Sequence, residues 1–483
     1  MLARAFLYSL AILIGLMAFT KSKSPPFRQT VLLVLSYLLL MTWAPWFALV
    51  VLGSTVMNWL LGRWLRRSRR PPVLWTGIAL NVALLSTFKY LPEIASSASS
   101  SVLQRFSHIA LPLGISFWTF QAMSYLFDLY GGCDLDPSLL EFALYMVFFP
   151  VTISGPICRL PEMLRQFRLA KAISSADVGR GLSRILTGIL MMLLAQLLGQ
   201  GLRANEGINF GFDQVTRWTG ADVWCLACGF GFYIFFAFAG YSHIAIGAAK
   251  ILGFTIPENF DRPYLSTSPS MFWTRLHMSL SFWIRDYVYF PLAMLRGEQW
   301  WGKLCLLISM VTFGLWHKGT VLFMLFGCYQ GMLLIGHRQA LALKKQFDWR
   351  PPEVLWSLIS WLATAALISL GWILFRASSL SQAVQMLRTV LSPGSYFEHF
   401  LPPMLYLLVA VLAIGYAITL LVTSALDRYP SGPELSTSEV IKVMAHNRWV
   451  WITPMYFFAI YAVARILARV ASTPINPFVY RYY

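Results

Sequence analysis

Charged side chains are scarce in this chain. They make up 12% of its 483 residues, whereas about 25% is usual for soluble domains. Hydrophobic residues account for 58% of the sequence, and the mean hydropathy is +0.62. This balance excludes a soluble enzyme and leaves no soluble domain of useful size. It predicts an all-α polytopic membrane protein.

Acidic residues are especially few. The chain has 20 Asp and Glu against 38 Lys and Arg, a net charge of +18. Membrane proteins acquire such an excess when basic residues collect in cytoplasmic loops. Basic residues at 21–28 precede the apolar stretch 31–61, and an arginine cluster at 63–70 follows it. Both loops are therefore expected in the cytoplasm, with residues 43–46 and the N-terminus outside. The position of the arginine cluster between apolar segments favours a lipid-facing loop over nucleic-acid binding.

Cysteine is also sparse. Of the six cysteines, only Cys225 and Cys228 have the spacing of a redox or metal-binding pair. They lie in an apolar run, and no second pair stands at zinc spacing, so we interpret them as buried thiols in a helix. The sequence shows no metal site.

Polar breaks divide the apolar sequence into membrane segments. Residues 31–61 are too long for one helix across a hydrocarbon core of ~30 Å, and Pro45 between two tryptophans predicts a hairpin. Residues 1–20 lack a small-x-small cleavage pattern, so a retained first helix is expected there. Further segments are expected at 73–91, 111–130, 140–154, 185–202, 223–251, 304–335, 354–375, 405–422 and 449–471, with 223–251 long enough for a span and its return. We predict roughly 11 to 13 membrane helices or half-helices, with residues 1–483 forming one integral unit.

The longest polar stretch of the first half is 159–184, where basic residues outnumber acidic ones. Its charge places it on the cytoplasmic side. Met163, Leu164 and Phe167 alternate with Arg165 and Arg168, which predicts an amphipathic helix along the membrane surface. Such a surface could receive an anionic donor, or it could simply contact solvent and lipid.

Residues 256–331 form a polar signature region in this apolar chain. A membrane protein keeps ionisable groups at depth where something uses them. The acidic and imidazole groups of the region are Glu258, Asp261, His277, Asp286, Glu298 and His317. We therefore expect the functional centre here.

His317 lies inside the apolar block 304–335, between Trp316 and Lys318. Only 13 residues precede it in the block, which is short for a span of about 20 residues, so the helix is expected to break at His-Lys-Gly. Broken backbone at membrane depth must be buried in protein or line a wet cavity, which predicts a pocket or channel. A desolvated, neutral imidazole is suited to act as a general base. A histidine hydrogen-bonded to a carbonyl at a helix interface is the alternative.

His277 stands among further polar residues. On a helix, His277, Ser281 and Arg285 would share one face at i, i+4 spacing, pointing into protein or water. Adjacent Arg285 and Asp286 are interpreted as charge balancing, and His243 as a structural histidine.

Several stretches together resemble the signatures of the membrane-bound O-acyltransferase (MBOAT) family. Three lie in the signature region: Pro257-Glu-Asn-Phe-Asp-Arg-Pro-Tyr-Leu265, Phe272 to Leu292, and Gly314-Leu-Trp-His317. Others follow the order of the bacterial branch that acetylates alginate or D-alanylates teichoic acid: Leu111-Pro-Leu-Gly-Ile-Ser-Phe-Trp-Thr-Phe, Phe148-Phe-Pro, Phe238-Ala-Gly-Tyr-Ser and Asn476-Pro-Phe478.

The resemblance implies helices around a central tunnel, with an acyl group passing from a cytoplasmic thioester donor to a hydroxyl outside. His317 and His277 match the two conserved polar positions, which implies a general base and a residue that positions or polarises the donor. The donor implied is acetyl-CoA, with no bound cofactor. The acceptor implied is an exported polysaccharide or an extracytoplasmic SGNH-type transferase, at the bacterial inner membrane and without nucleic acid. Candidate substrate-binding residues are Asn259, Arg275, Ser281, Arg285, Asp286, Trp316 and Lys318.

Four positions depart from the family pattern. Lys318 replaces a glycine, Leu276 a tryptophan, and Ala237 and His243 replace aspartates of the branch. A lysine beside the base could pair with an anionic donor. Two other functions stay open at this point: D-alanyl transfer from a carrier protein to a cell-wall polymer, and a transporter or polymer-export channel. No internal repeat, which many transporters show, is visible.

Overall fold

The computed structural model of the chain describes residues 15, 18–20, 22–43, 45–96, 104, 107, 111–112, 114–152, 155–169, 172–201, 206–346 and 352–426. Every regular element in these ranges is helical, and they contain no β-strand. The predicted all-α class is therefore confirmed. Most of the expected first helix at 1–20, the segment 449–471 and the motif Asn476-Pro-Phe478 lie outside the described residues.

The helices have the following bounds in chain order. They are α1 Pro25–Trp43, α2 Pro45–Ser68, α3 Pro71–Lys89, α4 Leu91–Ser96, α5 Ile115–Tyr130, α6 Leu139–Val147, α7 Phe149–Thr152, α8 Leu160–Arg168, α9 Ser175–Gln200, α10 Ile208–Asp213, α11 Gly220–Ile251, α12 Pro269–Arg275, α13 Met278–Ile284, α14 Phe290–Ala293, α15 Gln299–His317, α16 Val321–Gln346, α17 Glu353–Arg376, α18 Leu380–Val390 and α19 Pro403–Leu426. Pro263–Leu265 and Pro393–Tyr396 are 3₁₀ turns, and Arg285–Tyr289 is a π-helical turn.

Six of these helices, α2, α3, α9, α11, α16 and α17, are long and apolar enough to cross a membrane. On α2 the exposed side chains Leu49, Leu52, Val56, Leu60 and Trp64 recur every three or four residues. That spacing puts them on one helix face, which suits contact with lipid. The prediction of a polytopic membrane protein is confirmed. The total of 11 to 13 segments and the central tunnel stay predictions.

Two compact units divide the chain, and each is built from interleaved segments. The first comprises residues 1–188, 241–259 and 277–291, and the second comprises 189–240, 260–276 and 292–483. The chain therefore enters each unit three times. The expectation of one integral unit over 1–483 stays a prediction.

A pair of buried amides joins two helices of the first unit. Asn58 on α2 and Asn81 on α3 are fully buried, and each donates to the other through its Nδ2, at 3.1 and 2.7 Å. Polar pairs of this kind hold helices together where no water competes. At the end of α2, Arg66 forms ion pairs with Asp134 and Asp136. The loop before α6 therefore lies beside the arginine-rich end of α2.

Helices α15 and α16 of the second unit form a hairpin with backbones in close contact. A Cβ atom on Gly314 would overlap the carbonyl oxygen of Phe323, and one on Gly327 would overlap that of Met310. Only glycine permits this approach at the two positions. The short turn 318–320 between the helices follows His317 directly.

Asp222, near the start of α11, gathers backbone and side-chain donors within the second unit. Its carboxylate accepts from the backbone N–H and hydroxyl of Thr219, from the N–H groups of Phe400 and Leu401, and from the hydroxyl of Tyr406. A fully buried carboxylate needs such partners. The chain before α19 is thereby attached to α11.

Three predictions about helix breaks have clear outcomes. The break near Pro45 is confirmed, since α1 ends at Trp43 and α2 begins at Pro45. The break after His317 is confirmed by the end of α15. The expectation of a span and its return at 223–251 is wrong, because α11 is one helix of 32 residues. This helix contains no proline that would break it. Because it is buried over most of its length, it can be apolar on all sides, so its long apolar sequence does not require two separate helices.

The amphipathic helix expected within 159–184 is present as α8. Leu160, Met163, Leu164 and Phe167 are buried. The apolar face lies inside the first unit rather than along the membrane surface, since the Phe167 ring contacts those of Phe148 and Phe254. The predicted surface position is therefore wrong for the apolar face, which finds protein partners in place of lipid.

Candidate active site

His277 belongs to the first unit and lies at a sharp backbone turn. It is the residue before α13, only 6% exposed, and its φ of 44° is in the left-handed region. Helix α12 has already ended at Arg275. The predicted helical stripe of His277, Ser281 and Arg285 is therefore wrong at its first position, because the left-handed turn takes His277 out of the helix. The backbone N–H of Ser281 donates a hydrogen bond to the His277 carbonyl at 2.9 Å.

Asn259 connects the polar groups around His277. Its Oδ1 lies 3.2 Å from His277 Nδ1 and accepts from both the N–H and the hydroxyl of Ser279, at 3.2 and 2.8 Å. Its Nδ2 donates to the hydroxyl of Ser242 at 3.1 Å. Its carbonyl accepts from the N–H of Met278 at 2.8 Å. These contacts fix the side chain of Asn259 and bring it together with His277.

A second polar group of the first unit surrounds the π-helical turn. Asp286 pairs with its neighbour Arg285 at 2.8 Å and with Arg159 at 3.4 Å. The Arg159 guanidinium also lies over the ring of Tyr287, whose hydroxyl donates to Asp128 at 2.6 Å. π-Helical turns are frequent at functional sites. Arg285 and Asp286 do contact each other, and the interpretation of the pair as charge balancing stays a prediction.

His317 belongs to the second unit and ends α15 among aromatic rings. Its ring centroid lies 4.9 Å from that of Phe313, 5.0 Å from Phe375 and 4.5 Å from Trp316. Phe323 follows at 6.2 Å. The imidazole is half-buried. The carbonyl end of a helix stabilises positive charge, which is what a base acquires when it takes a proton.

The other candidate residues of the second unit differ in exposure. Trp316 is buried at 9% exposure, whereas Lys318 is exposed and its N–H reaches the Gly314 carbonyl at 3.5 Å. Arg275 is half-buried, and its carbonyl accepts from the N–H of Asp261 at 2.9 Å. The substrate contacts expected of these residues stay predictions.

Sequence reasoning missed several residues that hold the polar groups in place. Ser242 and Ser279 support Asn259, and Arg159 and Asp128 support the π-helical turn. A signal existed for Ser279, which stands two residues after His277. Nothing in the sequence spacing pointed to Arg159, which is 127 positions from Asp286.

Cys225 and Cys228 both lie within α11, as predicted. Cys225 is buried as expected, whereas Cys228 is half-buried and its thiol lies 3.4 Å from the hydroxyl of Ser369. Over the described part of the chain, His, Cys, Asp and Glu side chains nowhere form a group of three that could hold a metal ion.

Comparison with known proteins gives consistent matches. The family model for the MBOAT, membrane-bound O-acyltransferase family, matches residues 134–380. A probable alginate O-acetylase of Pseudomonas aeruginosa is 32% identical over 384 residues, which are 77% of this chain and 71% of that protein. The peptidoglycan O-acetyltransferase of Helicobacter pylori is 27% identical over 76% of this chain and 74% of its own. The teichoic acid D-alanyltransferase of Bacillus subtilis is 27% identical, over 54% of this chain and 68% of its own.

Proposed function

Because the chain belongs to the membrane-bound O-acyltransferase family, we propose that it moves an acetyl group from a cytoplasmic thioester to a polysaccharide hydroxyl outside. The chain is an O-acyltransferase and a multi-pass membrane protein. Its similarity to an alginate O-acetylase and a peptidoglycan O-acetyltransferase supports acetyl as the group and a polysaccharide as the acceptor. The compartment proposed is the bacterial inner membrane.

The observation that carries this proposal is the position of His317. It stands at the end of α15, where the helix stops and three aromatic rings surround the imidazole. Contacts with aromatic rings restrict the orientation of the half-buried imidazole. These are the conditions under which a neutral imidazole serves as a general base.

In the proposed reaction His317 accepts the proton of the acceptor hydroxyl. The hydroxyl oxygen attacks the acyl carbonyl, an ester C–O bond forms, and the C–S bond of the thioester breaks. The thiolate leaves and takes up the proton that the imidazolium held. His277 positions or polarises the donor, for which acetyl-CoA is proposed. A nucleophile on an extracytoplasmic SGNH-type transferase would serve as the acceptor in a relay to the polymer.

The test measures O-acetyl groups on surface polysaccharide in cells that carry the wild type, His317→Ala or His277→Ala. We expect His317→Ala to lower acetylation about 100-fold or more, because general-base catalysis contributes that much. His277→Ala should cause a smaller loss. Membrane abundance is measured in parallel by quantitative immunoblot.

His337→Ala is the matched control, since His337 is also a half-buried histidine of the second unit and its Nδ1 contacts the Ser270 hydroxyl at 2.9 Å. It should keep normal acetylation. If deletion of the whole gene left polymer acetylation unchanged and altered the D-alanine content of the cell wall, the acetyl proposal would be replaced by D-alanyl transfer.

A further inference from the structure

The orientation of the Asn259 amide is determined by a backbone donor. The N–H of Ser279 can only donate, and it points at Asn259 Oδ1 from 3.2 Å. Since this N–H identifies the facing atom as Oδ1, the Ser279 hydroxyl donates its proton to the same oxygen at 2.8 Å, while it accepts from the N–H of Ile157 at 3.0 Å. A flipped amide would place its NH₂ against the N–H of Ser279, so that two donors would face each other. The atom facing His277 is consequently an oxygen.

An oxygen at this place determines where His277 carries its proton. Oδ1 of Asn259 lies 3.2 Å from Nδ1 of His277 and can only accept. We propose that Asn259 is a positioning residue that holds the neutral His277 ring as the Nδ1–H tautomer, so that Nε2 carries the lone pair. Asn259 was predicted from the sequence to bind substrate, but it is 2% exposed and its amide is engaged by the residues around His277.

The backbone of Asn259 supports the same arrangement. His277 occupies the left-handed region, which L-residues avoid unless neighbouring contacts hold them there. The Asn259 carbonyl accepts from Met278 N–H, the group next along the chain from the strained residue. Side chain and main chain of Asn259 therefore fix both the turn and the ring.

The tautomer restricts what His277 can do, a step that rests on the proposed function. With the proton on Nδ1, Nε2 can accept a hydrogen bond and cannot donate one to a thioester carbonyl. This selects one of the two roles given above. His277 positions a substrate group that donates a hydrogen bond to it, and it does not polarise the acyl carbonyl.

The direct test is nitrogen NMR on the full-length protein in lipid nanodiscs, labelled with ¹⁵N-histidine and free of donor and acceptor. The His277 signals are identified by their absence in His277→Asn. We expect the chemical shifts of an Nδ1–H ring at pH 7.5. A wild-type ring protonated at Nε2 would overturn the proposal. The spectrum is recorded without substrate, so it tests the tautomer of His277 independently of the acetyl-transfer proposal.

Variants of Asn259 separate positioning from general stability. Asn259→Asp keeps an oxygen acceptor beside His277 and should keep the proton on Nδ1. In Asn259→Ala, His277 should lose its preference for the Nδ1–H tautomer, and acetyl transfer should fall at least tenfold. Asn81→Ala removes another buried amide of the same unit and should leave the His277 spectrum unchanged. If Asn259→Ala folds and retains the wild-type spectrum, the inference is wrong. If it does not fold, the Asn259→Asp spectrum decides, and loss of the Nδ1 proton there overturns the inference.

Discussion

At the scale of single residues, the two histidines have opposite surroundings. His277 lies at a backbone turn and contacts the Asn259 amide, which two serine hydroxyls hold in place. His317 lies among aromatic rings. A hydrogen bond determines which nitrogen of an imidazole carries the proton, and contacts with aromatic rings restrict the position of the imidazole. The role proposed for His277 follows from the amide beside it, and the role proposed for His317 follows from the aromatic rings around it and from its position at the carbonyl end of α15.

Phe375 supplies one wall beside His317, and its replacement should lower transfer. Phe375→Leu keeps a large apolar side chain but removes the ring 5.0 Å from the imidazole. We expect about tenfold lower acetyl transfer per protein, because a small misplacement of a catalytic group is costly. The measurement is polymer acetylation divided by membrane abundance. Phe326→Leu is the control, since Phe326 contacts Phe375 at 5.1 Å and is fully buried. Equal losses in both variants would contradict a special role for the wall.

The sequence could not predict the surroundings of either histidine. Asn259 and His277 are separated by 18 positions, and the left-handed turn that brings them together has no sequence signature in a non-glycine residue. Phe375 lies 58 residues after His317 and is one of many phenylalanines in apolar segments. The sequence showed which side chains could take part in chemistry. It did not show which residues contact them, because those contacts depend on the tertiary structure.

At the scale of elements, breaks in helices were easier to predict than their continuity. Pro45 and the short apolar run before His317 correctly predicted helix ends. Proline interrupts a helix, and an apolar run of fewer than about 20 residues is too short for a full membrane span. Residues 223–251 contain no such indication. A single long helix buried in protein and two shorter helices facing lipid are both rich in apolar residues, so composition does not distinguish them. Helix α11 has 32 residues, more than a membrane span needs, and most of its apolar length is buried in protein.

The close hairpin of α15 and α16 leads to a prediction about glycine. Gly327→Ala should destabilise the protein by about 1–3 kcal/mol, because the added methyl group would force the two backbones apart. Gly336→Ala, on the same helix with open space at the Cβ position, should be neutral or stabilising by up to about 1 kcal/mol. Thermal unfolding in detergent compares the two. A shift of equal size and sign in both variants would show that the hairpin contact does not matter.

At the scale of the whole molecule, orientation in the membrane can be tested through Cys133. Cys133 is exposed in the loop that Arg66 joins to the basic end of α2. If residues 63–70 face the cytoplasm, an impermeant maleimide should label Cys133 in inverted membrane vesicles and not in intact spheroplasts. Cys133→Ser is the control, and Cys158, Cys225 and Cys305 are buried. Labelling from outside would reverse the predicted topology.

The labelling rate of Cys133 should also depend on pH in a defined direction. Partial burial and the negative charge of Asp128 raise the pKa of the Cys133 thiol. The thiolate is the reactive form. The rate should therefore be below that of an unhindered cysteine near neutral pH and should keep rising at alkaline pH, where a thiol of ordinary pKa has already ionised. A rate that levels off earlier would contradict the raised pKa.

The interleaving of the two units constrains how the protein is made. The first unit includes residues up to 291, and the second begins at residue 189. A ribosome releases the chain from its N-terminus, and domains generally fold as units. The 69 residues of the second unit at 189–240 and 260–276 are therefore synthesised before the first unit is complete. At that stage Asp222 does not yet have its partners Phe400, Leu401 and Tyr406. The contact between His277 and Asn259 can form only after residue 277 has been synthesised, so it forms later than the helices within residues 1–188 of the same unit.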